Sequence, residues 1–104
     1  MTKTPNSETA ILTTSETDVY VAPSKAVTLL IQLVNTSGSA VTCELWLTDA
    51  SNTKLACLLP SQSITAGSGT SDTAKHTILN GYKIRGLAST GSVVYVEVSV
   101  FEGM

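Results

Sequence analysis

Charge is scarce in this chain. Only 13% of its 104 residues are Asp, Glu, Lys or Arg, about half the usual share of about 25%. The six basic residues are scattered from Lys3 to Arg85, and the formal net charge is −2. There is no basic block to capture phosphates, so nucleic acid is not an expected partner. Lys83 and Arg85 share one strand face, which reads as a solvated or interface face rather than a phosphate site. Long apolar runs are missing too. The longest falls far short of the ~18 residues of a membrane span, so no membrane partner is expected. The opening MTKTPNSETA is polar and holds no apolar core of a signal peptide.

Cysteine and histidine are nearly absent. The two cysteines, Cys43 and Cys57, make no disulfide framework and have no metal-ligand spacing around them. They are expected to be small buried hydrophobes, with a disulfide as the alternative. A three-residue turn at Asp49–Ser51 would place them opposite each other, and a four-residue turn would part them onto opposite faces. The one histidine, His76, stands close to Ser71 and Asp72 in sequence. A triad must converge in space, whereas a strand would splay these three along its length. The acidic residues form no calcium-loop pattern, and Glu16-x-Asp18 reads as a polar turn. Gly67-x-Gly69 lacks the third glycine and the following helix of a dinucleotide site. Asn35-Thr36-Ser37 fits a glycosylation acceptor but reads as a polar turn. No catalytic, cofactor-binding or metal-ligating set is expected, and the chain is not expected to be an enzyme.

What the chain does have is strand periodicity. The organising stretch is Val27 to Leu47. In it Val27, Leu29, Ile31 and Leu33 alternate with Thr28, Leu30, Gln32 and Val34. After Asn35-Thr36-Ser37-Gly38-Ser39, Val41, Cys43, Leu45 and Leu47 alternate with Thr42, Glu44, Trp46 and Thr48. Side chains on a strand point to opposite faces with period two, so each run carries one apolar face for a core. Further strands are expected at Ile11-Leu12, at Thr17 to Ala22 with Val19 and Val21 opposite Tyr20, and at Thr53 to Leu59, ended by Pro60. Residues 61–71 read as loop, with Ile64 as an anchor. A weaker strand, Thr73 to Leu79, leads into a hairpin at Asn80-Gly81 and a strand at Tyr82 to Leu87. The clearest strand is Ser92 to Phe101, where Val94, Val96, Val98 and Val100 make an unbroken stripe. No helical periodicity appears.

About eight short strands with frequent turns imply an all-β fold, an antiparallel β-sandwich or jelly roll. Residues 1–8 are expected to be a flexible arm and residues 9–104 a single domain. A chain this long buries roughly two-thirds of its unfolded surface and needs no staples. Trp46, Tyr95 and Phe101, three of the five aromatic residues, lie by alternation opposite the core stripes. Aromatics anchor protein interfaces. The expected interface is therefore Leu30, Val34, Trp46, Tyr95 and Phe101, subject to a change of face at any bulge.

The stretch Tyr20-Val21-Ala22-Pro23, the apolar strand to Asn35-Thr36-Ser37-Gly38-Ser39, and the strand ending Leu45-Trp46-Leu47 resemble a small β-sandwich virion protein of tailed bacteriophages. So does Asn80-Gly81-Tyr82-Lys83-Ile84-Arg85-Gly86-Leu87 with the valine-rich strand to Phe101-Glu102-Gly103. The resemblance covers residues 17–102 in pattern and carries no catalytic motif. Gly67 and Gly69 depart from it. It implies a capsid decoration (cement) protein that forms a homo-oligomer, such as a trimer, on the major capsid protein or another virion protein. The alternatives are a neck, tail or baseplate component, or a carbohydrate-binding module on a host-facing appendage.

Overall fold

The computed structural model describes residues 4–103. They form β1 (Thr4–Ile11), β2 (Thr17–Val21), β3 (Ala26–Asn35), β4 (Val41–Thr48), β5 (Lys54–Ile64), β6 (Gly69–Asp72), β7 (Thr77–Ile78), β8 (Lys83–Ala88) and β9 (Val94–Glu102). Sheet A runs β1-β9-β3-β6, with β7 also on β3. Sheet B runs β2-β8-β4-β5. All pairs are antiparallel, and four of them nest: β4 with β5, β3 with β6, β2 with β8, β1 with β9. A ribbon folded on itself and wrapped into two sheets has this order, the double Greek key of a jelly roll.

Alternation builds the core. Val94, Val96, Val98 and Val100 are buried on β9, while Tyr95, Glu97 and Phe101 point away. Ile31, Leu33 and Ile78 join them from sheet A, with Leu12 just past the end of β1. Val41, Cys43, Leu45, Ile64, Ile84 and Tyr20 close the layer from sheet B. Burying each large apolar side chain contributes about 1.5–3 kcal/mol.

Several expectations change here. The run on either side of Asn35–Ser39 is a corner between sheets, since β3 pairs in sheet A and β4 in sheet B. Asn35 makes the corner. It is fully buried, and its amide donates to the carbonyls of Ser39 (2.8 Å) and Ile64 (2.9 Å) while its Oδ1 accepts from Ser37. The amide is engaged as a donor, so the segment is the polar turn it reads as and offers no nitrogen to a glycan. Asn80-Gly81 also turns between sheets, with Gly81 at φ 83°. Tyr82 N–H closes the turn onto the Leu79 carbonyl at 2.9 Å.

Bulges account for the changed faces. A register shift between Thr28 and Leu30 places Ala26 and Thr28 inside before it and Ile31 and Leu33 inside after it, so Val27 and Leu29 are only partly buried. A shift at Asp18/Tyr20 buries both Val19 and Tyr20 and leaves Val21 exposed. Pro60 does not end β5. It stands on the edge strand of sheet B where the register already slips, and there a missing N–H removes no ladder bond. Residues 69–72, read as loop, pair with β3. Of the residues read as an arm, 4–8 lie within β1, whose backbone bonds to β9 do not depend on side-chain periodicity. Residues 1–3 lie outside the described residues.

Candidate interaction surfaces

The outer faces of the two sheets differ: sheet B is centred on ion pairs, with exposed Val21 and Leu55 on its edge strands β2 and β5, and sheet A on apolar rows. On sheet B, one cross-strand row carries Asp18, Arg85, Trp46 and Cys57. Arg85 reaches Asp18 Oδ1 at 2.7 Å through Nε and Glu16 Oε1 at 3.0 Å through Nη1. Lys83 lies 3.7 Å from Asp18 and Lys54 3.5 Å from Glu16. Lys54 Nζ also sits 4.6 Å from the centre of the Trp46 ring, a cation–π approach. Trp46 Nε1–H donates to Glu44 at 2.9 Å. Trp46 is thus half-buried under the chain's own charges, with its polar atom satisfied.

Sheet A is open. Ile11, Tyr95 and Val34 stand side by side across β1, β9 and β3, with Ile11 44% and Tyr95 48% exposed. Toward the other end, Phe101 pairs with Val27 and is 36% exposed. Leu30 lies between, opposite Ser99. A polar band separates the apolar rows: Thr9, Glu97 and Gln32 stand in one row, and Ser7 Oγ donates to Glu97 at 3.3 Å. Hollows on this face are lined by Thr9, Gln32, Val34, Tyr95 and Glu97, and by Gln32, Val34 and residues 67–71.

Of the expected interface residues, the structure therefore gathers Leu30, Val34, Tyr95 and Phe101 on one face. Trp46 is on the opposite side of the sandwich. Alternation correctly turned it away from the core, but which sheet a strand joins is not written in its period. Ile11 and Val27 were missed. Ile11, expected to begin a strand, ends β1; alternation points Val27 inward, and the bulge that changes its face carries no sequence mark.

Asp72 and His76 do meet, Oδ2 to Nε2 at 2.9 Å, because residues 73–76 loop back onto Thr28, whose Oγ1 accepts the His76 N–H at 2.9 Å. Ser71 faces away from Asp72 on β6, so this pair has no serine beside it. Cys43 is buried and its thiol pKa is pushed up by that burial; Cys57 is exposed rather than buried, and both are free. Cys43 pairs with Gln62 and Cys57 with Trp46, and the hairpin closes with Thr48 opposite Lys54, a longer turn than three or four residues, which leaves the cysteines on opposite faces of the sheet. Among the described residues, no three His, Cys, Asp or Glu groups gather as a metal site.

No protein-family profile matches the chain, and no curated protein matches it. Solved structures do. A chain of the Helicobacter pylori bacteriophage KHP30 capsid matches with a TM-score of 0.62 and 10% identity, over 97% of this chain and 87% of that one. A Bacillus endospore appendage protein, from a family of disulfide-linked pili, matches with a TM-score of 0.59 and 9% identity, over 99% and 88%. A pentameric capsid protein from metagenomic phage sequences matches with a TM-score of 0.51 and 11% identity, over 93% and 61%. At such identities the likeness is one of fold.

Proposed function

We propose that this chain is a non-enzymatic structural subunit of a bacteriophage virion, of the capsid decoration (cement) type. It associates with copies of itself and holds the major capsid protein or another virion protein through the outer face of sheet A. The observation that carries this reading is that face. Ile11, Tyr95 and Val34 form one apolar row, Val27 and Phe101 another, and no described element covers them. Exposed apolar rows rimmed by polar residues mark interaction sites, and an exposed tyrosine in a shallow hollow is a favoured anchor. The low charge content supports the reading, because such a surface suits contact with protein better than with water.

The test is quantitative mass spectrometry of purified particles, counting this chain against the major capsid protein. Near-stoichiometric copies are expected. A small ring-like copy number would move the chain to the neck, tail or baseplate. Absence from particles would overturn the structural reading, and the half-exposed Tyr95 beside Gln32 and Glu97 would then be tried against glycans.

A further inference from the structure

Sheet A has one long free edge. β1 pairs with β9 on one side, and no described strand lies on the other. The direction of its peptide groups follows from the bond just beyond it. Leu12 N–H donates to the Val94 carbonyl at 2.9 Å. An antiparallel ladder alternates, so Ala10, Glu8 and Asn6 turn their peptide groups toward β9. Ile11, Thr9 and Ser7 turn theirs to the open side. The same parity sends Pro5, which has no N–H, to the open side, where it costs β9 nothing.

The remaining edges are blunted in the ways proteins use to prevent pairing. β2 has 5 residues and a register shift. β5 carries Pro60 and slips register at three places. β6 and β7 have 4 and 2 residues and share one edge. Against these, β1 keeps one unbroken register with β9 from Thr4 to Ile11.

We infer that two copies of this chain join edge to edge through β1, antiparallel, about a two-fold axis at Thr9. Register selects this arrangement. Centred on Thr9, Ser7 faces Ile11 of the second copy, Thr9 faces Thr9, and Glu8 faces Ala10. Every open N–H and carbonyl of Ser7, Thr9 and Ile11 is then used, and a threonine pair meets across the axis. Such a cross-strand pair is worth roughly 0.2–1 kcal/mol. Centred on Glu8, two carboxylates oppose each other, which is destabilising, and Pro5 stands opposite Ile11 with no donor. Centred on Ser7, Pro5 faces Thr9 on both sides and Ile11 falls outside the pairing. The contact is isologous and main-chain driven, and it leads to an even-numbered oligomer in place of the trimer implied by the phage resemblance.

This inference rests on the structural-subunit reading but is tested apart from it, on the purified full-length chain. Sedimentation velocity is expected to show a dimer. Thr9→Pro removes an open-side N–H and no bond to β9, so it is expected to weaken the dimer roughly tenfold or more with circular dichroism unchanged. Thr9→Cys in a Cys57→Ser background supplies the second reading. Directly opposed residues of a hydrogen-bonded pair lie ~5.5 Å apart at Cα, within disulfide reach, so mild oxidation is expected to give a covalent dimer. A wild-type monomer throughout the micromolar range overturns the inference. So does a dimer that Thr9→Cys fails to link, or one that a folded Thr9→Pro leaves at full strength. A monomeric chain present in particles would lose this inference and keep the structural role. A dimer absent from particles would do the reverse.

Discussion

The Tyr20 hydroxyl, on sheet B, donates to the carboxylate of Glu102, the last residue of β9 in sheet A, across 2.5 Å. Asn6 Nδ2 reaches the same oxygen from β1 at 3.3 Å. One carboxylate thus ties both sheets and the edge strand together. Tyr20→Phe is expected to cost about 1.5–3 kcal/mol, the range for a bond to a charged group, seen as a lower denaturation midpoint.

The same contact predicts alkaline sensitivity. Burial first, then the hydrogen bond to Glu102, then the charges of Glu102 and Glu8, raise the Tyr20 pKa well above its ordinary 10.0. The unfolded chain therefore loses this proton before the folded one does. Stability from Tyr20 is complete below pH 10 and falls as pH rises above it toward the folded value. Denaturation curves from pH 9 upward should fall more steeply for the wild type than for Tyr20→Phe.

Gly86→Ala should be strongly destabilising. A Cβ there would stand 2.6 Å from the Glu44 carbonyl oxygen and would collide with Leu45 Cδ2, and the backbone of β4 cannot retreat without disturbing its own pairing. The overpacking cost is about 1–3 kcal/mol, readable as a lower melting temperature.

Asn35→Ala should leave the Ile64 carbonyl without its amide donor in a buried corner. A loss of about 1–3 kcal/mol per unsatisfied group is expected. The wild-type chain, expressed through a glycosylating secretory route, should keep its unmodified mass.

Tyr95→Ser should weaken association with particles while the fold and melting temperature hold, because its ring is exposed on sheet A. Trp46→Ala should do the opposite. It removes the ring under Lys54 and the Glu44 acceptor's partner, so it should lower stability modestly and leave binding intact. Competition for particle sites with the wild-type chain separates the two.

A thiol reagent should modify Cys57 in the native protein and reach Cys43 only on unfolding. One sulfur is exposed, and the other is buried and held protonated by that burial.

Much of the fold could be read from residue types. The valine stripe on β9 and the alternation in Ile31–Leu33 and Val41–Leu45 demand strands with one buried face, and the turn residues between them are where the chain bends. The polar strand β1 was illegible because backbone pairing, not apolar alternation, holds it. Residues 69–72 were read as loop for the same reason. Leu30, Val34, Tyr95 and Phe101 were placed outward correctly, since parity alone decides that. Ile11 and Val27 were not, because a strand end and a bulge change parity without a residue signature.

Local periodicity by itself determined that this chain is all-β, that it packs as a sandwich, and which side of most strands faces the core. Those are properties of a few neighbouring residues and of the two-residue repeat of a strand. Tertiary structure alone decided that β3 and β4 part into different sheets, that Trp46 lies under its own charged neighbours, and that Ile11, Tyr95 and Val34 meet in one row. These depend on strand order and register, which are set by how the whole ribbon wraps to bury both apolar faces at once.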